Sequence, residues 1–510
     1  MPPPLPNPDV TTPGGLLLVL AVLVPFVGVL AGMVLGGRGA RRVALATLVA
    51  GLAIAIAIAD ALVRSGAAVV YLLGGWAPPR GVALRADGLA VVMLLAVAVV
   101  IGGIGAYARA DFGTPPGVRE ARAPLMFWLL LLAVWGSLNL VFVSGDLFTL
   151  YVALELLTFA GVPLVSRGGQ PETLRSALRY LLYALFGSVL YLLGAVLLYG
   201  AYGTLDIVLL AARVHPEPVT WAAAALMTVG LLAKTAVFPL HLWLPPAHAG
   251  APAAASAVLS GLVILGSWFL AVRLWLDVFA GVVTVPSAQT LAALGAAAIL
   301  VGNIVALRQG RLKLLIAYST VAQIGYLFLM FPLAAGLAAA QLDSAAAVNG
   351  GLLQAISHAT AKAAMFMAAG LIYTTLGHDR IADLRGVARA LPMTLVAFAL
   401  GGASLIGLPP SGGFLAKWLL VSAAITTAQW WWALVMLVGG LLTSAYVFIV
   451  VVRALAPAPE GWTPKASVPC YQQVAVLALA LCSFLLGMAV LCPVDVAGIG
   501  RAVVPGIGSP

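Results

Sequence analysis

Apolar windows of about twenty residues, each long enough to cross a bilayer as one helix, recur from residue 14 to residue 491. That recurrence constrains the chain more than any motif does. A backbone in hydrocarbon must satisfy its own N–H and C=O groups, so only helices or a closed barrel can span it. Windows of this length read as helices. The chain of 510 residues is 63% hydrophobic and 8% charged, a balance that excludes a soluble domain. The windows lie near 14–36, 43–64, 87–108, 125–144, 147–166, 173–200, 219–240, 253–279, 287–308, 312–331, 345–375, 392–423, 430–454 and 469–491. The expected fold is an all-α polytopic membrane protein of about fourteen transmembrane helices. MPPPLPNPDV carries no basic stretch, so the first window is expected to be a retained helix rather than a signal peptide.

A net charge of +10 would fit a nucleic-acid surface, but the basic residues are scattered over short loops. They read as topology signals, and no nucleic-acid partner is expected. Assigning loops alternately to two sides separates 17 Lys/Arg from 6. The rich side includes Arg109, Arg119, Arg122, Arg167, Arg175 and Arg179, and the positive-inside rule then puts both termini outside. Cys470, Cys482 and Cys492 lack metal spacing, and no Walker motif, haem pair or nucleophile elbow occurs. No catalytic residue, cofactor or metal is therefore expected. A GxGxxA match at Gly103–Ala108 sits late in an apolar helix with no βαβ pattern, so close helix packing explains it. Asp60 near a helix end, four residues before Arg64, reads as a local ion pair.

The informative residues are charges stranded in apolar helices. The run LLAKTAVFPLHLWLPPAHAGAPAAASAVLSG (231–261) holds Lys234, then Pro239, His241 and His248. A cation at a helix centre costs roughly 2.5–3.5 kcal/mol even on a lenient scale, so Lys234 needs a partner or a purpose. Pro239 lacks an N–H and so frees the carbonyl of Thr235. The run LGGASLIGLPPSGGFLAKWLL repeats the arrangement in reverse order, with Pro409, Pro410, Gly412 and Gly413 ahead of Lys417. Between the two, His358 and Lys362 stand at i and i+4 on one helix face. Glu155 lies nine residues after Asp146, near mid-membrane by the 1.5 Å helical rise. Only five of the 26 basic side chains are lysines, yet three of the five lie inside predicted helices. A lysine can release its proton there, and an arginine cannot. Glu155, Lys234, His358, Lys362 and Lys417 are thus the candidate proton relay.

Two interrupted, lysine-bearing helices in corresponding halves point to inverted repeats around a midplane ion site. The expected division is a three-helix segment over 1–124, repeats over 125–280 (helices four to eight) and 285–455 (helices nine to thirteen), and a last helix and tail over 456–510.

GDLFTLYVALELL, LLAKTAVFPLHLWLPPAHAGAP, LKLLIAYSTVAQIGY, SHATAKAAMFMAAG and GLPPSGGFLAKW, in this order, resemble the signatures of the antiporter-like subunit family. That family includes membrane-arm subunits of respiratory complex I, the D subunit of Mrp-type cation/proton antiporters, and subunits of membrane-bound hydrogenases. The resemblance runs from about residue 70 to 425, starting at GGWAPPRGVALRADGL. It implies fourteen helices, two inverted five-helix repeats, broken helices seven and twelve, and an ion path along the bilayer middle. In the family a helix-five glutamate pairs with a helix-seven lysine, and a helix-twelve lysine ends the path. Glu155, Lys234 and Lys417 match these positions, and His358 matches the helix-eleven position. One position departs from the pattern: where helix eight usually carries a lysine or histidine, this chain has Leu265. Waters held near Ser260 and Ser267 would have to bridge it. The gap is expected to be wet, so that Leu265→Lys is tolerated; a dry wall would reject it.

The implied function is proton translocation in a multisubunit ion-pumping or antiporter complex of a bacterial-type plasma membrane. The partners are other integral subunits and lipid, and the ion is the proton, with sodium as the alternative. Any oxidoreductase chemistry, as in an NADH:quinone oxidoreductase-type translocase, would belong to partner subunits. Two readings compete, a non-conducting scaffold subunit and a stand-alone small-ion transporter.

Overall fold

The computed structural model describes residues 10–115, 117–118, 120–166, 170–334, 341–488 and 496–500. Arg119, Arg167, Cys492 and the two chain ends used above lie outside the described residues. The helices in order are α1 (Leu16–Leu35), α2 (Gly37–Ser65), α3 (Gly88–Asp111), α4 (Arg122–Val143), α5 (Leu147–Ser166), α6 (Pro171–Tyr202), α7 (Ile207–Arg213), α8 (Pro218–Thr235) and α9 (Leu244–Gly250). They continue with α10 (Ala253–Val258), α11 (Ile264–Arg273), α12 (Val285–Leu307), α13 (Leu312–Ala334), α14 (Gln341–Leu376), α15 (Val387–Ala390), α16 (Pro392–Ile406), α17 (Gly412–Thr426), α18 (Trp430–Leu455) and α19 (Cys470–Leu485). Between α2 and α3, β1 (Val69–Leu72) and β2 (Ala83–Ala86) form an antiparallel hairpin.

Among the described residues, twelve helices are long and apolar enough to cross a membrane, with α10 and α11 counted as one span through a π-helical turn. Three shorter apolar helices, α16, α17 and α19, fall below that length. The chain is a polytopic helical membrane protein. Its expected twelfth helix, 392–423, is two pieces separated by Gly407–Ser411. Its expected seventh, 219–240, stops at Thr235. The stop falls four residues before Pro239, where the proline ring would collide with a continuing helical carbonyl.

The spans Ala253–Val278 and Ala345–Leu376 each contain an 18-residue stretch that is wholly buried, the most enclosed of the long apolar helices. α1, α2, α6 and α18 turn rows of apolar side chains outward, such as Leu178, Leu182, Phe186 and Val189 on α6. Against hydrocarbon such rows need no cover. Close helix contact rests on glycine where the chain required it. A Cβ on Gly103 would strike Leu479 of α19 at 2.6 Å, so the GxGxxA match is a packing feature. Gly187 of α6 and Gly230 of α8 face each other, and a Cβ on Gly230 would lie 2.3 Å from the Gly187 carbonyl. This brings α6 and α8 together next to Lys234.

An ion-pair cluster at one end of the bundle ties the sequence-distant parts together. Asp87 caps α3 and pairs through both carboxylate oxygens with Arg273 at 2.5 Å; Arg273 also reaches Asp277 at 3.1 Å. Arg85 donates to the Gly500 carbonyl at 3.0 Å, while the Gly88 N–H bonds Ile499 O at 2.8 Å. Burial lowers the Arg85 guanidinium from its ordinary value and raises the Asp206 carboxyl. Asp60 and Arg64 form the surface pair read from their spacing, at 2.8 Å and largely exposed.

Candidate functional site

α8 ends in a motif that leaves its last carbonyls free. Ala236 takes the left-handed conformation (φ 58°), its N–H bonds Ala233 O at 3.3 Å, and the Val237 N–H bonds Leu232 O at 3.1 Å. This is a Schellman end, formed here without glycine. Trp243 Nε1, from beyond the break, donates to the same Ala233 carbonyl at 3.0 Å, and the Trp243 ring stacks on Tyr180 with centroids 4.4 Å apart. Lys234 thus sits in the last turn of a helix, where the macrodipole favours a cation.

The Lys234 side chain crosses to α5. Its Nζ lies 3.3 Å from Glu155 Oε1, 3.0 Å from Thr158 Oγ1 and 3.4 Å from Leu154 O. The Ser188 hydroxyl of α6 has both Glu155 Oε1 and the Ala184 carbonyl within reach, and donating its one proton to the carboxylate satisfies Glu155. Both charges are largely enclosed, with side-chain exposures of 6% for Lys234 and 13% for Glu155. A buried ion pair is tolerable only when further hydrogen bonds satisfy it. Thr158 and Ser188 supply them. A cavity of about 10 Å³ adjoins the pair, lined by Lys234, Thr158, Tyr180 and Ser267 among others. That is room for about one water molecule.

Across the wall, the π-helical turn Leu259–Val263 widens the helical ladder. His358 Nε2 lies 3.1 Å from the Ser260 carbonyl. A carbonyl only accepts, so Nε2 carries the proton in this contact. The Ser260 hydroxyl pairs with Thr320 at 2.8 Å, and the Ser267 hydroxyl accepts from Thr235 at 2.9 Å. Leu265, between these serines, is fully buried. One helical turn from His358, Lys362 Nζ donates to Ile316 O at 3.2 Å and to the Ser319 hydroxyl. His248 stacks on Phe366, the next residue along the same α14 face, at 4.6 Å. His241 stacks on Phe238 at 5.5 Å and stays in the loop beyond the α8 break.

The second break repeats the first in its backbone. Gly407 is left-handed (φ 91°), its N–H bonds Ser404 O at 3.1 Å, and the Leu408 N–H bonds Ala403 O at 3.0 Å. The free carbonyls this Schellman end leaves are those that Lys417 takes: its Nζ donates to Leu405 O at 2.5 Å and Ile406 O at 3.1 Å. The Tyr326 ring faces the ammonium at 4.2 Å. Pro409 and Pro410 bridge to Ser411, whose hydroxyl caps α17 by accepting from the Phe414 N–H at 3.1 Å; Gly412 and Gly413 start that helix. Gly413 needs its small size, since a Cβ there would meet Ser404 O at 1.9 Å. Behind the break, Ser357, Ser404 and Ser483 join through hydroxyl contacts of 2.7 and 2.8 Å, tying α14, α16 and α19 together.

The structure therefore brings Glu155 to Lys234, and His358 and Lys362 to one face of α14. It sets Lys417 apart in a cage of carbonyls and one ring. Sequence reasoning missed Thr158, Ser188, Gln323, Tyr326 and Gln354. Thr158 had a signal in its i+3 spacing from Glu155; Ser188 had none.

Residues 144–443 match the family described as NADH:quinone oxidoreductase/Mrp antiporter, TM. NADH-quinone oxidoreductase subunit N of Desulforudis audaxviator is 35% identical over 463 residues, covering 87% of this chain and 89% of that one. The D subunit of the Na(+)/H(+) antiporter of Alkalihalophilus pseudofirmus is 29% identical over 413 residues, 80% of each chain. A chain in the structure of the Mrp complex from a Dietzia species has the same fold, with a TM-score of 0.85 at 24% identity over 96% of both chains.

Proposed function

The chain belongs to the NADH:quinone oxidoreductase/Mrp antiporter membrane family, and on that premise we propose that it is a proton-translocating subunit of a multisubunit ion-pumping or antiporter assembly. The observation that carries this reading is the Lys234–Glu155 contact of 3.3 Å, an enclosed ion pair in apolar helices beside a broken helix end. While paired, the lysine keeps its proton. When Glu155 moves away, an unpaired ammonium in hydrocarbon becomes costly, and the proton leaves. The change in charge then biases His358 and Lys362 on α14 and, beyond them, Lys417 at the second break. Protons are the transported ion in this reading, with sodium as the alternative.

We read α16 and α17 as one interrupted crossing and α19 as a short last one, which makes fourteen. Helices four to eight (125–280) and nine to thirteen (285–455) form two inverted repeats, flanked by 1–124 and 456–510. Support comes from the paired Schellman ends, each beside a buried lysine. The relatives named above are subunits of membrane complexes, so the partners proposed are other integral subunits in a bacterial-type plasma membrane. The loop charges support both termini outside. Leu265, apolar and fully buried, favours a second reading in which the chain is a non-conducting scaffold. Reconstituting the assembled complex with Lys234→Ala or Lys417→Ala separates the two. Translocation should vanish while assembly persists, and pumping by both variants at the parent rate leaves the scaffold.

A further inference from the structure

Of the three relay lysines, Lys417 alone is held by neither carboxylate nor hydroxyl among the described residues, and its contacts are two backbone carbonyls and a ring. α13 and α14 run antiparallel, pairing Ser319 with Lys362 and Gln323 with Gln354. Both glutamines are buried, at 0% and 2% exposure. Gln354 Nε2 donates to Gln323 Oε1 at 2.9 Å, and Gln323 Nε2 donates to Leu405 O at 3.3 Å. Leu405 O is also the nearer of the two carbonyls that accept the Lys417 ammonium.

We propose that the amide pair Gln323–Gln354 tunes proton release at Lys417 by sharing the Leu405 carbonyl with its ammonium. The proposal rests on the relay reading above and adds two positioning residues to it. A carbonyl has two lone pairs and can serve both donors. The amide N–H withdraws acceptor strength from that oxygen and points its positive end toward the ammonium. Each effect loosens the grip on the proton. Gln354 holds the Gln323 amide in this sense: with its oxygen bound to Gln354, Gln323 cannot turn that oxygen toward Lys417. An amide neither gains nor loses a proton at accessible pH, so the pair acts on Lys417 without carrying a proton itself. Lys362 and His358 stand on the same α14 face as Gln354, at steps of four residues. A shift of that helix is therefore felt at the shared carbonyl.

The described titratable groups on the helices packed around Lys417 are Lys313, Tyr318 and Tyr326 on α13, His358, Lys362 and Tyr373 on α14, Tyr446 and Arg453 on α18, and Cys470, Tyr471 and Cys482 on α19; of these, Tyr326 faces the ammonium, at 4.2 Å. None of the described side chains on these helices is a carboxylate.

The test is the pH at which the Lys417 Nζ resonance titrates, read by nitrogen NMR on lysine-labelled full-length protein and assigned with Lys417→Gln. Gln323→Met and Gln354→Met should each raise that midpoint by about half a pH unit or more, within the coupling range of one hydrogen-bond network. Gln323→Glu, which sets a carboxylate beside the ammonium, should raise it furthest. A midpoint unchanged in both methionine variants overturns the proposal; if one variant fails to fold, the other decides. Transport is not needed for this readout. A shifted midpoint with normal pumping by Lys417→Ala would sink the relay reading while leaving the tuning intact. An unshifted midpoint with a dead Lys417→Ala would do the reverse.

Discussion

The ammonium of Lys417 donates to the carbonyl of Leu405 at 2.5 Å, across a break in what would otherwise be one helix. Lys234, beside the equivalent break, instead leans away from its own helix end to Glu155 at 3.3 Å. The same backbone motif thus supports two kinds of cation site. One holds its ammonium with a carboxylate, a hydroxyl and a carbonyl. The other holds it with two backbone carbonyls and the face of the Tyr326 ring.

Lys234→Arg should assemble and fail to translocate. The guanidinium keeps the charge opposite Glu155 but does not give up a proton at accessible pH. Proton uptake into vesicles holding the complex checks this, and parent-like pumping would exclude proton release at this position. Glu155→Ala should also cost about 3–5 kcal/mol of stability if the ammonium is left buried and unpaired, visible as a lower unfolding temperature that Lys234→Met restores.

Tyr326→Phe should retain activity, because the ring that faces Lys417 at 4.2 Å remains. Only the hydroxyl contact to Met436 O, 3.1 Å, is lost. Tyr326→Leu removes the ring and should weaken the hold on the charged form by about 0.5–2 kcal/mol. Transport rates across pH distinguish the two variants: equal loss in both would assign the role to the hydroxyl.

Gly230→Ala should push α8 off α6, since the new methyl would lie 2.3 Å from the Gly187 carbonyl and backbone cannot yield cheaply. Overpacking of this kind costs about 1–3 kcal/mol. The expected result is lower thermal stability together with impaired transport, because Lys234 is one turn along the same helix. Normal stability would mean that the helices part without consequence.

Leu265→Lys should not be tolerated. The cavity next to Lys234 has room for about one water and is lined by Val263 and Ser267 but not by Leu265. The hydroxyls of Ser260 and Ser267 are already engaged with Thr320 and Thr235. A new ammonium there would be stranded, at about 3–5 kcal/mol. Recovery of the assembled complex is the measurement, and a fully assembled, active variant would show a wetter wall than this packing allows.

Residues 231–261 illustrate what the amino-acid sequence determines on its own. Apolar length, a proline and a lysine are local properties, and local rules on helix length, carbonyl clash and the cost of buried charge act on them directly. They sufficed to locate the apolar spans, both breaks and the charges Glu155, Lys234, Lys362 and Lys417, but not Arg273, largely enclosed in the 253–279 window against Asp87. They placed the first break at Pro239, whereas the helix ends at Thr235, because the clash falls four residues upstream.

Tertiary structure alone decided which groups meet. Lys234 reaches Thr158 over 76 residues of sequence, Ser188 reaches Glu155 over 33, and Gln323 reaches Leu405 over 82. A serine or glutamine inside an apolar helix reads the same whether its partner is its own backbone or a helix across the bundle. The π-helical turn that lets Ser260 offer a carbonyl to His358 has no residue signature either. These choices depend on how closely two helices approach and how each is rotated, and that is settled by the packing of the whole bundle.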